Sequence, residues 1–211
     1  MKNTLYLLTA LVLIGALPLL ASPVIYHSST GIMDDETAII AFPFTYSPSD
    51  GSVLTIRTYG WGGGTDINGD VHSPGGFDPQ VFLFSTPFLS PQTLIGENDD
   101  AGCGISGAQS GECWDAFLQS SGLAAGQYTV YLTVYNQDPN LNGSDQLTGW
   151  DGDVDPGNGN FDSVEWGANP RTGFWAIDIY ASDVPEPSTY FLIGTGLLGL
   201  AAWRRRTRRS D

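Results

Sequence analysis

The segment Gln127-Tyr128-Thr129-Val130-Tyr131-Leu132-Thr133-Val134-Tyr135-Asn136 alternates without a break. Tyr128, Val130, Leu132 and Val134 fall on one side; Thr129, Tyr131, Thr133 and Tyr135 fall on the other. Successive side chains of an extended strand point to opposite faces, so a period of two marks a β-strand with one face in a core. The residues are mostly β-branched or aromatic, types that pack well on a pleated surface.

The same reading extends in both directions. In 37–46, Ala38, Ile40, Phe42, Phe44 and Tyr46 share a face. Leu54 and Ile56 turn inward in 52–59, as do Trp175, Ile177 and Ile179 in 174–180. Residues 80–85 are apolar on both faces, as in a central strand. Shorter strands fit 24–27, 93–97 and 114–119. This makes about eight strands joined by Gly-, Asn-, Asp- and Pro-rich turns, with no helical period between the two ends. The expected fold class is all-β: an antiparallel two-sheet β-sandwich, jelly-roll-like. Two connections are long, 60–76 and 137–170. Loops of that length are functional or disordered, and Trp61, Trp150 and Trp166 argue against plain disorder.

Both ends differ from this pattern. Lys2, the apolar run 5–20 and Ala21 fit a signal peptide over 1–21, helical and removed by signal peptidase. At the other end, Val184-Pro185-Glu186-Pro187-Ser188-Thr189 is followed by an apolar run, 190–203. Arg204, Arg205, Arg206, Arg208 and Arg209 close it. A hydrophobic helix ending in arginines reads as a transmembrane helix of the inner membrane with its basic end in the cytoplasm. Its length of about 21 Å falls short of a hydrocarbon core of about 30 Å. Arginine snorkelling and local thinning reduce the gap. The organisation expected is a signal peptide at 1–21, an exported β-domain at 22–183 and a tail at 184–211.

Pro185-Glu186-Pro187, the apolar run and the terminal arginines, in that order, resemble the PEP-CTERM sorting signal of Gram-negative bacteria. The resemblance implies processing by an exosortase near the Pro-Glu-Pro motif, with Arg204, Arg205 and Arg206 as the membrane stop. It implies release to the cell surface or extracellular matrix, in an exopolysaccharide or biofilm setting. A second resemblance rests on 75–79 (Gly-Gly-Phe-Asp-Pro), 94–100 (Leu-Ile-Gly-Glu-Asn-Asp-Asp), Asp115, 123–129 and 171–173 (Arg-Thr-Gly). These resemble small exported β-domains similar to the bacterial pre-peptidase C-terminal (PPC) family. That family implies a jelly-roll sandwich outside the cell and lends no catalytic role. The cysteine pair after Asn98-Asp99-Asp100 departs from the family pattern.

Charge narrows the partners. Only Glu186 and Asp211 of 23 acidic residues lie outside 22–183, and only Arg57 and Arg171 of eight basic residues lie inside it. The exported part therefore sets 21 acids against two bases. Nucleic acid is excluded as a partner, because phosphate binding needs clustered Lys and Arg. An anionic polysaccharide would be repelled unless divalent cations bridge the two. Cys103 and Cys113, in a Gly/Ser-rich loop of an exported domain, are expected to form a disulfide.

Calcium is the chemistry these acids favour, since Ca²⁺ takes six to eight oxygen ligands from flexible loops. Asp151, Asp153 and Asp155 have alternating spacing, and Asp162 lies where an EF-hand would place its last ligand. Pro156 stands where that loop needs glycine. A second set is Asp78, Asn98, Asp99, Asp100 and Asp115, provided those strand ends are neighbours. A third is Asp66, Asn68 and Asp70. The alternative for all three is turn chemistry, in which Asp and Asn side chains bond their own backbone with no ion. Tyr131 and Tyr135 offer rings for sugar stacking if their face is open; otherwise a loop covers them. His27 and His72 form no recognisable catalytic arrangement, and no Gly-x-Ser-x-Gly elbow is present. The expectation is a non-enzymatic exported protein. A Ca-dependent carbohydrate-binding module is the alternative, and a secreted hydrolase a more distant one.

Overall fold

In the computed structural model, which describes residues 22–88, 90–101, 114–152 and 171–183, almost all regular structure is β-strand. The strands are β1 (Val24–Ile32), β2 (Ile40–Tyr46), β3 (Val53–Thr58), β4 (Gly64–Thr65), β5 (Val71–His72) and β6 (Pro79–Ser85). They continue with β7 (Thr93–Asn98), β8 (Phe117–Ser121), β9 (Gly126–Val134), β10 (Pro139–Leu141), β11 (Leu147–Trp150) and β12 (Phe174–Ser182). The signal-peptide and tail segments lie outside the described residues.

Eight strands build two antiparallel sheets, ordered β1-β12-β3-β8 and β2-β9-β6-β7. Taken in chain order, the first of the eight pairs with the last, the second with the seventh, the third with the sixth and the fourth with the fifth. That nested pairing is the jelly-roll order. The alternating segment forms β9, an interior strand flanked by β2 and β6. Pro43 sits in β2 at a sheet edge, where a missing N–H is tolerated.

One core joins the sheets. Leu54, Ile56, Ile177 and Ile179 come from one, and Val81, Leu83, Val130, Leu132 and Val134 from the other. Each such side chain, fully buried, contributes roughly 1.5–3 kcal/mol relative to exposure. Leu54, Ile56, Ile177, Ile179, Val130, Leu132 and Val134 lie on the inward face that the period of two assigns.

The outward faces are not simply wet. On β12, outward-facing Asp178 is fully buried. Its Oδ2 accepts from Tyr59 Oη at 2.7 Å and from Ile67 N at 2.8 Å, beside the β4–β5 hairpin. On the other sheet, outward-facing Phe82, Phe84, Thr129 and Thr133 are buried as well. The β10–β11 hairpin reaches this face: Trp150 packs edge-on against Phe82 and Tyr131, with ring centroids 5.8 and 5.3 Å away. Leu94 N donates to Asp145 O, and Leu147 N to Gln92 O, both at 2.9 Å, fastening the hairpin near the start of β7. Both long connections of the sequence thus carry a short hairpin.

Candidate functional site

The acids gather where β6, β7 and β8 begin or end. Asp78 immediately precedes β6, and its carbonyl accepts from Tyr135 N at 2.9 Å, continuing the β6–β9 ladder. Its side chain is 7 % exposed, and Oδ1 has no hydrogen-bond partner. Burial pushes this carboxyl up to about 8. The negative charges of Asp100, Asp99 and Asp115 add to the rise, and Arg171 opposes it.

Asp115 is also buried but well supplied. Oδ1 accepts from Trp61 N and Thr58 Oγ1, both at 3.1 Å, and Oδ2 from Gly62 N at 2.7 Å. Burial raises its pKa, and these donors pull it back. Asp115 therefore anchors the start of the 60–76 connection. Asn98 ties strand ends together: its Oδ1 accepts from Phe117 N at 2.7 Å, and its Nδ2 donates to Asp100 O at 3.3 Å. Burial, followed by Asp99, raises Asp100.

Arg171 is the cation of this end. Its guanidinium carbon lies 3.2 Å from the Trp61 ring centroid, and Nη1 donates to Trp61 O at 3.1 Å. Trp114 packs on Trp61 with centroids 4.4 Å apart. The strand-end cluster expected around Asp78 is thus brought into electrostatic reach. Among the described residues, no three His, Cys, Asp or Glu converge closely enough to hold a metal ion directly.

Of the alternating loop, Asp151 is described. Asp138 N donates to its Oδ1 at 3.1 Å, and Asp151 N donates to Asp138 O at 3.1 Å. Asp153, Asp155 and Asp162 lie outside the described residues, as do Cys103, Cys113, Pro185, Glu186, Pro187, Arg204, Arg205 and Arg206. Asp138 was not singled out in the sequence. Burial raises its pKa; Asp151 and Asp99 add to this, and a hydrogen bond from the Gln80 amide opposes it. Asp99 acts on both Asp78 and Asp138, so the two acidic loops, far apart in the chain, form one electrostatic field. No spacing rule could find Asp138, because the β10–β11 pairing is what sets it opposite Asp151.

The third loop is a turn. Asp66 Oδ1 accepts from Asn68 N and Asp70 N, both at 2.9 Å, and Oδ2 lies 3.0 Å from His72 Nε2. Burial opposes ionisation of Asp66, but these bonds prevail and lower its pKa. His72 sits on β5, and His27, on β1, places Nε2 3.0 Å from Pro43 O. Tyr131 and Tyr135 are half-buried. Tyr131 donates from Oη to Gln92 Oε1 at 2.7 Å and packs against Phe84 and Trp150. The hairpin thus occupies the face on which stacking would need open rings.

The described residues define a β-sandwich with an acidic end. What reaches beyond the fold is the tail: the PEP-CTERM protein-sorting motif is matched over residues 183–206. That motif marks exosortase-dependent sorting, so the chain is an exported protein sorted to the cell envelope or surface. No curated protein matches the chain.

Proposed function

We propose that the exported β-sandwich is a non-enzymatic component of the extracellular matrix whose acidic end takes up Ca²⁺. The observation that carries this reading is Asp78, a buried carboxyl with an orphaned oxygen among Asp99, Asp100 and Asp115. A buried acid with like charges around it is costly unless it is protonated or meets a cation. Asp78, Asp99 and Asp100 would hold the ion. Asp115, with both oxygens accepting from the protein, would support the site from behind. Because the acids do not close on a single point, coordination would be completed by water, which calcium accepts readily. The ion would cancel local repulsion and could bridge the domain to anionic polysaccharide. A matrix role is supported by the sorting motif together with the excess of acids over bases. The non-enzymatic reading is supported by the histidines, one held by Asp66 and the other against a backbone carbonyl.

The test is thermal melting of the full chain in mild detergent, with millimolar Ca²⁺, with Mg²⁺ and with EDTA. A ligand at about 100 times its Kd adds roughly 2.7 kcal/mol, which moves the midpoint of a domain this size by roughly 5–10 °C. An upward shift with Ca²⁺, absent with Mg²⁺ and lost in Asp78→Asn, is expected. Identical melts in all three conditions would remove calcium from the account.

A further inference from the structure

A cavity of about 470 Å³ opens beside the acidic end, between β6, the end of β7 and the start of β10. Its volume lies in the range of small-molecule sites, roughly 300–1,000 Å³. Glu97, Asp99 and Asp138 supply carboxylates to its wall, and Phe82 and Leu141 an apolar side. Gln80 lines it too; this side chain is 8 % exposed, and its Oε1 has no partner. Thr133, directly opposite Gln80 in the β6–β9 register, is fully buried with Oγ1 likewise unpartnered.

The hydrogen-bonding capacity of this cavity is one-sided. The Gln80 amide donates toward the Asp138 carboxylate, and the Asn98 amide donates to Asp100 O. The carboxylates of Glu97, Asp99 and Asp138 present only acceptors to the cavity, and the buried Gln80 Oε1 has no donor. An ordered buried acceptor without a donor loses free energy. A ligand complementary to this wall brings donors and positive charge. A single metal ion fits this cavity poorly, because the cavity far exceeds an ion. A neutral sugar would leave the carboxylates uncompensated.

We propose that this cavity binds a sugar unit carrying a free primary amine. The ammonium sets its three donors among Glu97, Asp99 and Asp138, a hydroxyl serves Gln80 Oε1, and the ring's C–H face lies on the exposed Leu141. Charge-assisted hydrogen bonds of this kind are about twice as strong as neutral ones. The proposal rests on the extracellular matrix reading but not on calcium. In that setting the partner is a polysaccharide with unacetylated amino sugars.

Titration calorimetry of the full chain in mild detergent tests it, in EDTA so that calcium plays no part. The probes are a short glucosamine oligomer, the N-acetylated oligomer of equal length, spermidine and CaCl₂, at mildly acidic pH where the amine keeps its proton. Saturable binding of the glucosamine oligomer is expected, weakened by added salt and roughly tenfold weaker in Glu97→Gln and in Asp138→Asn. Unchanged melting of the two variants keeps the loss specific. Equal binding of the acetylated oligomer would overturn the ammonium role. Binding of spermidine without the glucosamine oligomer would overturn the sugar. CaCl₂ heat, in a run without EDTA, that is kept in Asp78→Asn but lost in Glu97→Gln and Asp138→Asn would assign the cavity to a metal ion and overturn the proposal.

Discussion

Asp78 couples folding to pH. An exposed aspartate titrates near about 3.9, whereas the folded protein holds this one up to about 8. Below the lower value the group is protonated in both states and its contribution to stability is complete. As pH rises between the two, the unfolded chain sheds a proton that the folded chain keeps, so stability falls, at up to about 1.4 kcal/mol per pH unit. Urea unfolding in EDTA should therefore give a lower stability at pH 8 than at pH 5, and Asp78→Asn should flatten much of that slope. Burial raises Asp115, Asp100 and Asp138 in the same sense, so part of the slope persists in the variant. Parallel pH profiles for the two proteins would count against the buried-acid account. The sequence marks Asp78 within Gly-Gly-Phe-Asp-Pro, but only the fold gives its reasons. A Cβ on Gly76 would run into Phe174 O, and one on Gly173 into Met33 O, so these glycines let neighbouring backbone segments approach closely. Asp66 contrasts with Asp78: its Oδ1 accepts from the amides of Asn68 and Asp70 within its own turn, and these bonds, opposing burial, lower its pKa.

Among the elements, the β10–β11 hairpin decides what the outer sheet face can do. Trp150 stands over Phe82 and Tyr131. Trp150→Ala should cost roughly 2 kcal/mol, below the usual range for a fully buried tryptophan because this one is half-exposed. Leu141→Ala, at an exposed position of the same hairpin, should change stability by less than about 0.5 kcal/mol. Equal losses in chemical denaturation would mean that the hairpin is not held through the tryptophan. Four of the eight sandwich strands could be read from the alternation, because each buries one face against a single core; the central strand β6 shows as an apolar run instead, and three others only as short segments. The hairpins could not: β4 and β5 are two residues each, and β10 and β11 only three and four. Their pairing is fixed by contacts to distant strands, such as Leu94 with Asp145, that leave no period in the chain. For the same reason Tyr131 and Tyr135, outward by the period of two, could be placed on a face but not in or out of water.

At the scale of the whole molecule the surplus of acids sets the behaviour. Self-repulsion opposes compaction, and salt weakens it as the Debye length drops from about 30 Å at 0.01 M to about 3 Å at 1 M. The melting temperature should climb steadily with NaCl even without divalent ions; a flat or falling profile would show that the charge is already compensated internally. One topological detail bears on a matrix protein under load. β1 and β12 are antiparallel neighbours, with Val24 opposite Ala181, so the chain enters and leaves the sandwich at the same end of one sheet. Tension applied between those two points does not shear the pair as a block. It peels the strands apart, one rung after another, as a zipper opens, and so meets little mechanical resistance. A load that enters through one terminus and leaves through a ligand held on the other sheet would have to cross the packed core instead.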